Sequence, residues 1–142
     1  MRKRGLSLMA IGCALVLTAC SAAVDDKMSD GQQEEQEMES AYHKIEAEEA
    51  KKMMDEQDVV VVDVRTAEEY AEGHVPGAVL IPLQEIGDEP PGELPDKGAD
   101  ILVYCRSGRR SKQASDKLVE LGYENVYDFG GIMDWPYDIE DK

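Results

Sequence analysis

Two short runs, VVVVDV at 59–64 and ILVYC at 101–105, set the strongest limit on how this chain folds. Each is apolar at consecutive positions, so a strand built from it must be covered on both faces. Helix signals follow each run. Thr66-Ala67-Glu68-Glu69 fits a capping box and predicts a short helix to about Glu72. SKQASDKLVELG carries a stripe at Ala114, Leu118 and Leu121 and closes at Gly122. Buried strands alternating with short helices predict an open α/β domain with a mainly parallel sheet.

The remaining elements fit the same layout. AYHKI reads as a short first strand, and EAEEAKKMMDEQ as a helix over about 47–56 with Ala47, Ala50, Met53 and Met54 on one side. Gly73-His74-Val75-Pro76-Gly77-Ala78 is a turn and AVLIPL another short strand. Three prolines between Gly87 and Gly98 predict a surface loop with at most a helical turn. ENVYDF gives the last strand.

The N-terminus is of another kind. MRKRG is a basic n-region and residues 6–19 form an apolar h-region, too short for an ordinary membrane span. The segment ends at Leu17-Thr18-Ala19-Cys20, which resembles the lipobox of bacterial lipoproteins. Residues 1–19 are therefore expected to be a lipoprotein signal peptide and Cys20 the lipidated residue; an ordinary secretory signal is the alternative. Residues 20–40 are acidic and poor in large apolar groups, as expected of an extended tether. The compact domain then spans 41–142. An exported protein held to the cell membrane or outer membrane by N-terminal lipid follows, with its domain in a periplasm or at the cell exterior.

Loss of the signal's three basic residues takes the formal charge from −16 to about −19. That balance argues against nucleic acid as a partner, which needs a basic footprint. It equally disfavours attraction to an anionic membrane surface, leaving lipid as the means of membrane association.

Of three cysteines, Cys13 leaves with the signal and Cys20 takes lipid, so Cys105 is the remaining free thiol. It stands at the carboxyl end of a buried strand, where ligand sites of open α/β sheets lie. In CRSGRRS, Ser107 and Gly108 let the backbone curl so that successive amides point inward and run into a helix N-terminus. Arg106, Arg109 and Arg110 add positive charge that favours a thiolate. The plainer alternative, a core cysteine at a strand end, does not account for the clustered arginines. With one thiol and two histidines, His43 and His74, no metal-ligand motif is present. No cofactor is implied. Cys–His hydrolysis stays open, but His74 reads better as part of its turn. A lone thiolate beside an anion cradle suits attack on an anionic, thiophilic donor.

CRSGRRS at 105–111 resembles the active-site loop of rhodanese-like domains. The similarity extends through Val62-Asp63-Val64-Arg65, Glu69-Tyr70, Gly73 to Ala78, Gly122-Tyr123, and Gly130-Gly131-Ile132 with Trp135. It implies a five-stranded, mainly parallel sheet with helices on both faces and sulfane-sulfur transfer through a cysteine persulfide. Cys105 would be the nucleophile. The backbone amides of Arg106, Ser107, Gly108, Arg109, Arg110 and Ser111 would cradle the outer sulfur. Asp63 and Arg65 would form a supporting salt bridge, with Arg65 a lesser contributor to the pocket, and His74 would shape its turn. Related phosphatases separate Cys and Arg by five residues, whereas four lie between Cys105 and Arg110. Leu80 stands where the family often has asparagine.

The partners implied are a small anionic sulfur donor and a thiol acceptor. A non-enzymatic docking or sensing module, presenting a surface to an envelope protein, is the alternative function.

Overall fold

The computed structural model describes residues 41–141. The signal peptide, Cys20 and the tether lie outside the described residues. In chain order the elements are β1 (Tyr42–Lys44), α1 (Ala47–Glu56), β2 (Val59–Asp63), α2 (Ala67–Ala71), β3 (Val79–Leu80), β4 (Asp100–Cys105), α3 (Arg109–Glu120) and β5 (Asn125–Gly131). Single 3₁₀ turns follow β3 and β5. The five strands form one sheet in the order β1-β5-β4-β2-β3, and every neighbouring pair is parallel.

The apolar runs become the central strands because both of their faces are covered. On β4, Ile101, Val103 and Cys105 pack with Ala114 and Leu118 of α3, together with Ile86, Leu94 and Tyr123. Leu102 and Tyr104 turn to the opposite layer, against Ala50 and Met53 of α1, Val75, Phe129 and Trp135. Each such aliphatic side chain, taken fully out of water, contributes roughly 1.5–3 kcal/mol. The 87–98 loop is pinned by burial of Leu94, whose carbonyl accepts from the Tyr123 hydroxyl at 2.6 Å.

Three boundaries differ from the sequence expectation. AVLIPL supplies only a two-residue strand, since Pro82 has no N–H for the ladder. Its neighbours still bond to β2, Ile81 N–H donating to the Asp63 carbonyl and Leu83 N–H to that of Val64. The α3 helix starts at Arg109, ahead of the expected start at Ser111, because Gly108 with φ 97° makes the N-cap turn. Lastly, β5 runs on to Gly131. There the pairing passes from Val103–Asp128 to Cys105–Gly131, so β5 carries one extra residue in a bulge.

Candidate active site

The bulge aims the end of β5 at the Cys105 loop. A Cβ on Gly131 would lie 2.2 Å from the Arg106 carbonyl oxygen and 2.7 Å from Ser107 Cα, so the loop rests directly on glycine backbone. Met133 N–H donates to the Arg106 carbonyl at 3.3 Å and holds the same contact from the following turn.

Within this support, Cys105 is 1 % exposed and its Sγ accepts from the Gly108 N–H at 3.0 Å. Beyond Gly108, the amides of Arg109, Arg110 and Ser111 belong to the first turn of α3, which no intrahelical carbonyl reaches. Among the described residues none accepts from them. The sulfur therefore sits at a helix N-terminus whose donors are free for an anion. A cleft of about 520 Å³ opens on the outer side of the loop, bounded by Ser107, Gly108, Lys44, Lys112 and Asp134. Cys105 does not line it.

The loop's side chains divide into two sets. Arg106, Ser107 and Arg109 are exposed, and Arg106 and Arg109 have no carboxylate within 4.0 Å among the described residues. Arg110 instead makes a bidentate pair with Glu69 at 2.7 and 2.8 Å. Bonding to Arg110 is the chief cause that holds the Glu69 carboxyl down to about 2. The same bonds keep Arg110 more basic than usual.

Ser111 turns inward. Its hydroxyl is buried and donates to Asp128 Oδ1 at 2.6 Å, with the Gly108 carbonyl 2.9 Å away. Asp128 Oδ1 also accepts from Gly130 N–H at 2.9 Å, and Oδ2 from the Tyr42 hydroxyl at 3.1 Å. Lys44 Nζ lies 3.6 Å off. One carboxylate thus ties β1, β5 and α3 to the loop.

Asp63 and Arg65 lie on another network. Arg65 donates to Asp63 through its amide, Nε and Nη2 at 2.6–3.0 Å, and its Nη2 also reaches the Gly73 carbonyl at 2.7 Å. The Tyr104 hydroxyl donates to Asp63 Oδ2 at 2.6 Å and accepts from Val75 N–H at 3.0 Å. Burial, then the Asp63 carboxylate, pushes that phenol far above its usual range. Arg65 is accordingly directed to the 73–78 turn. His74 is also part of that turn: Nδ1 faces the Tyr70 carbonyl at 3.0 Å, and the ring stacks on Tyr70 with centroids 3.7 Å apart. Its backbone pairs with Glu140 in both directions at 2.8 Å. Neither ring nitrogen bonds to Cys105. Among the described residues, no three His, Cys, Asp or Glu side chains converge as a metal site requires.

Residues 46–137 match the family of rhodanese-like domains. The chain belongs to that family. The rhodanese-like domain is 44% identical over 73 residues to the thiosulfate sulfurtransferase PspE of Escherichia coli (strain K12), covering 51% of this chain and 70% of that one. It is 40% identical over 87 residues to a sulfurtransferase of Allochromatium vinosum, covering 61% and 79%. A solved rhodanese with anions from E. coli superposes with a TM-score of 0.56 at 38% identity, over 60% of this chain and all of that one. These relationships are consistent with enzymatic sulfur transfer.

The contacts of three participants do not follow from the rhodanese motifs alone. Asp128 interrupts the apolar VYDF run, and an acid inside a buried strand must have partners; that was its available signal. Tyr104 looks like one more core residue of ILVYC. Glu69 shows its capping-box role in the sequence, but its bond to Arg110 spans 41 positions and has no local signature.

Proposed function

We propose that the protein is a sulfurtransferase that moves sulfane sulfur from thiosulfate or a persulfide donor to a thiol, or to cyanide, through a persulfide on Cys105. The observation that carries this is the Gly108 N–H contact to Sγ, continuous with the unpartnered amides of Arg109, Arg110 and Ser111. The Cys105 thiolate attacks the outer sulfur of thiosulfate; the S–S bond breaks and sulfite leaves with the electron pair. The outer sulfur, now the negative end of the persulfide, lies among amides fixed before the reaction, which is where preorganised donors act most strongly. An acceptor thiolate then removes that sulfur and regenerates Cys105. The backbone of Arg106 to Ser111 is the cradle, while Asp63, Arg65 and His74 act at a distance by fixing the neighbouring turn.

Incubating residues 41–142 with thiosulfate should add about 32 Da to Cys105, one sulfur atom, removable by cyanide. The adduct should be absent in Cys105→Ser. No adduct with thiosulfate or with any persulfide donor would refute the assignment.

The docking alternative draws on one observation, the exposure of Met133 and Ile139 at 68% and 53%. It predicts that Cys105→Ser leaves cellular function intact. We further propose export and lipid attachment at Cys20, supported by the n-region, h-region and Leu17-Thr18-Ala19-Cys20. Incorporation of labelled palmitate that is lost in Cys20→Ala tests it, and equal labelling of the variant would exclude it.

A further inference from the structure

Arg110 is the cradle arginine whose charge is already matched. Its guanidinium is gripped by both oxygens of Glu69, at 2.7 and 2.8 Å, while Arg106 and Arg109 stand exposed. The grip is rigid because Glu69 Oε2 also accepts from Thr66 N–H at 3.1 Å, and the Thr66 hydroxyl from Glu69 N–H at 3.3 Å. Both sides of the box are formed, so α2 presents the carboxylate in one orientation. Arg110 stands in the first turn of α3, just after Gly108, whose amide contacts Cys105 Sγ. A negative charge has thus been placed against the anion cradle of a thiolate enzyme.

That placement is unhelpful if the donor is a dianion. Coulomb energy scales with the charge of the incoming ligand, so a fixed carboxylate bonded to Arg110 penalises a dianion twice as much as a monoanion. We propose that Glu69 is a specificity-determining residue: by neutralising Arg110 it flattens the site's preference for dianions and makes monoanionic organic persulfides and thiosulfonates competitive donors. This rests on the sulfur-transfer reading of Cys105. The chemistry is the same for each donor class. The Cys105 thiolate takes the terminal sulfur, and the former partner leaves with the bonding pair, as sulfite, a sulfinate or a thiolate.

The test compares thiosulfate, a dianion, with benzenethiosulfonate, a monoanion. Persulfide formation on the wild-type protein is measured first by mass. Failure there refutes the sulfur-transfer reading itself, before any variant is made. In Glu69→Gln, whose amide oxygen can still accept from Thr66, KM should fall about tenfold for thiosulfate and about threefold for benzenethiosulfonate, the square relation one removed charge imposes. The kcat values should change little, and the gain should shrink in high salt. Glu69→Asp, which keeps the charge, should show no gain. Thiosulfate binding to Cys105→Ser, with and without Glu69→Gln, gives the same comparison without turnover and should tighten by the dianion factor. Arg110→Gln should weaken both donors in the same charge-scaled ratio, and this arm does not depend on Glu69→Gln folding. Equal changes for the two donors, a loss of affinity in Glu69→Gln, or an equal gain in Glu69→Asp would overturn the proposal.

Discussion

Asp63 and Asp128 are both acids on central strands, the first at the end of β2 and the second within β5, and both are almost wholly buried, at 0% and 1% exposure. Their partners differ in kind. Asp63 faces a permanent cation that is itself buried, Arg65 at 5% exposure, and the pair holds the 73–78 turn through Gly73 and Tyr104. Asp128 is satisfied by neutral donors, the Ser111 and Tyr42 hydroxyls and the Gly130 amide, with Lys44 half-exposed at the edge. The first acid is thus bound to fold integrity, because its loss strands a charge. The second is bound to loop position, because every group it holds touches the Cys105 loop, its β5 support or the adjoining strand.

The largest effect should follow from breaking the first network. Asp63→Ala leaves Arg65 buried without its counter-ion and is expected to cost about 3–5 kcal/mol in urea unfolding. Gly131→Ala should come next, at about 1–3 kcal/mol, since its methyl group meets backbone that cannot yield without shifting the loop. Its persulfide yield per folded molecule should fall with it.

Asp128→Ala should cost less stability, about 1–2 kcal/mol. Ser111 can turn its hydroxyl to the Gly108 carbonyl, and Tyr42 is only half-buried. Its sulfur-loading rate should nevertheless drop at least about tenfold, the equivalent of some 1.4 kcal/mol in the barrier. If Asp63→Ala and Asp128→Ala were to lower stability and loading rate in the same proportion, the division between fold acid and loop acid would collapse.

Glu69 provides the smallest effect and a third environment, partly exposed. Its carboxyl is depressed from 4.5 to about 2 in the folded protein, so its stabilising contribution is complete above pH 4.5 and disappears as pH falls toward 2. Thermal unfolding followed over that range should show an acid-side loss that is absent in Arg110→Gln. A loss appearing instead above pH 5 would assign it to some other group.

The sequence makes one of these networks visible and conceals the other for a physical reason. Asp63 and Arg65 are two residues apart, so their pairing is local and falls within a short motif that the resemblance to rhodanese-like domains already covers. The Asp128 contacts to Tyr42 and Ser111 span 86 and 17 positions and exist only after β1 docks beside β5. The same holds for the fold. Continuous apolar runs identified the buried parallel strands, and the stripe at Ala114 and Leu118 identified the α3 face. The start of α3 depended on the left-handed turn at Gly108, and β3 was shortened by its place at a sheet edge next to Pro82. Both are effects of tertiary placement that residue patterns report poorly.

The cradle around Cys105 is composed of main-chain amides, while Arg106, Ser107 and Arg109 send their side chains to solvent. Under the proposed function, attack on sulfur and the approach of a donor would fall to different atoms of the same short segment. Substitutions at those three positions can retune what approaches the thiol without disturbing the donors that stabilise the product. The glycine backbone beneath the loop has no such latitude, because a side chain at Gly131 would meet Arg106 and Ser107 directly.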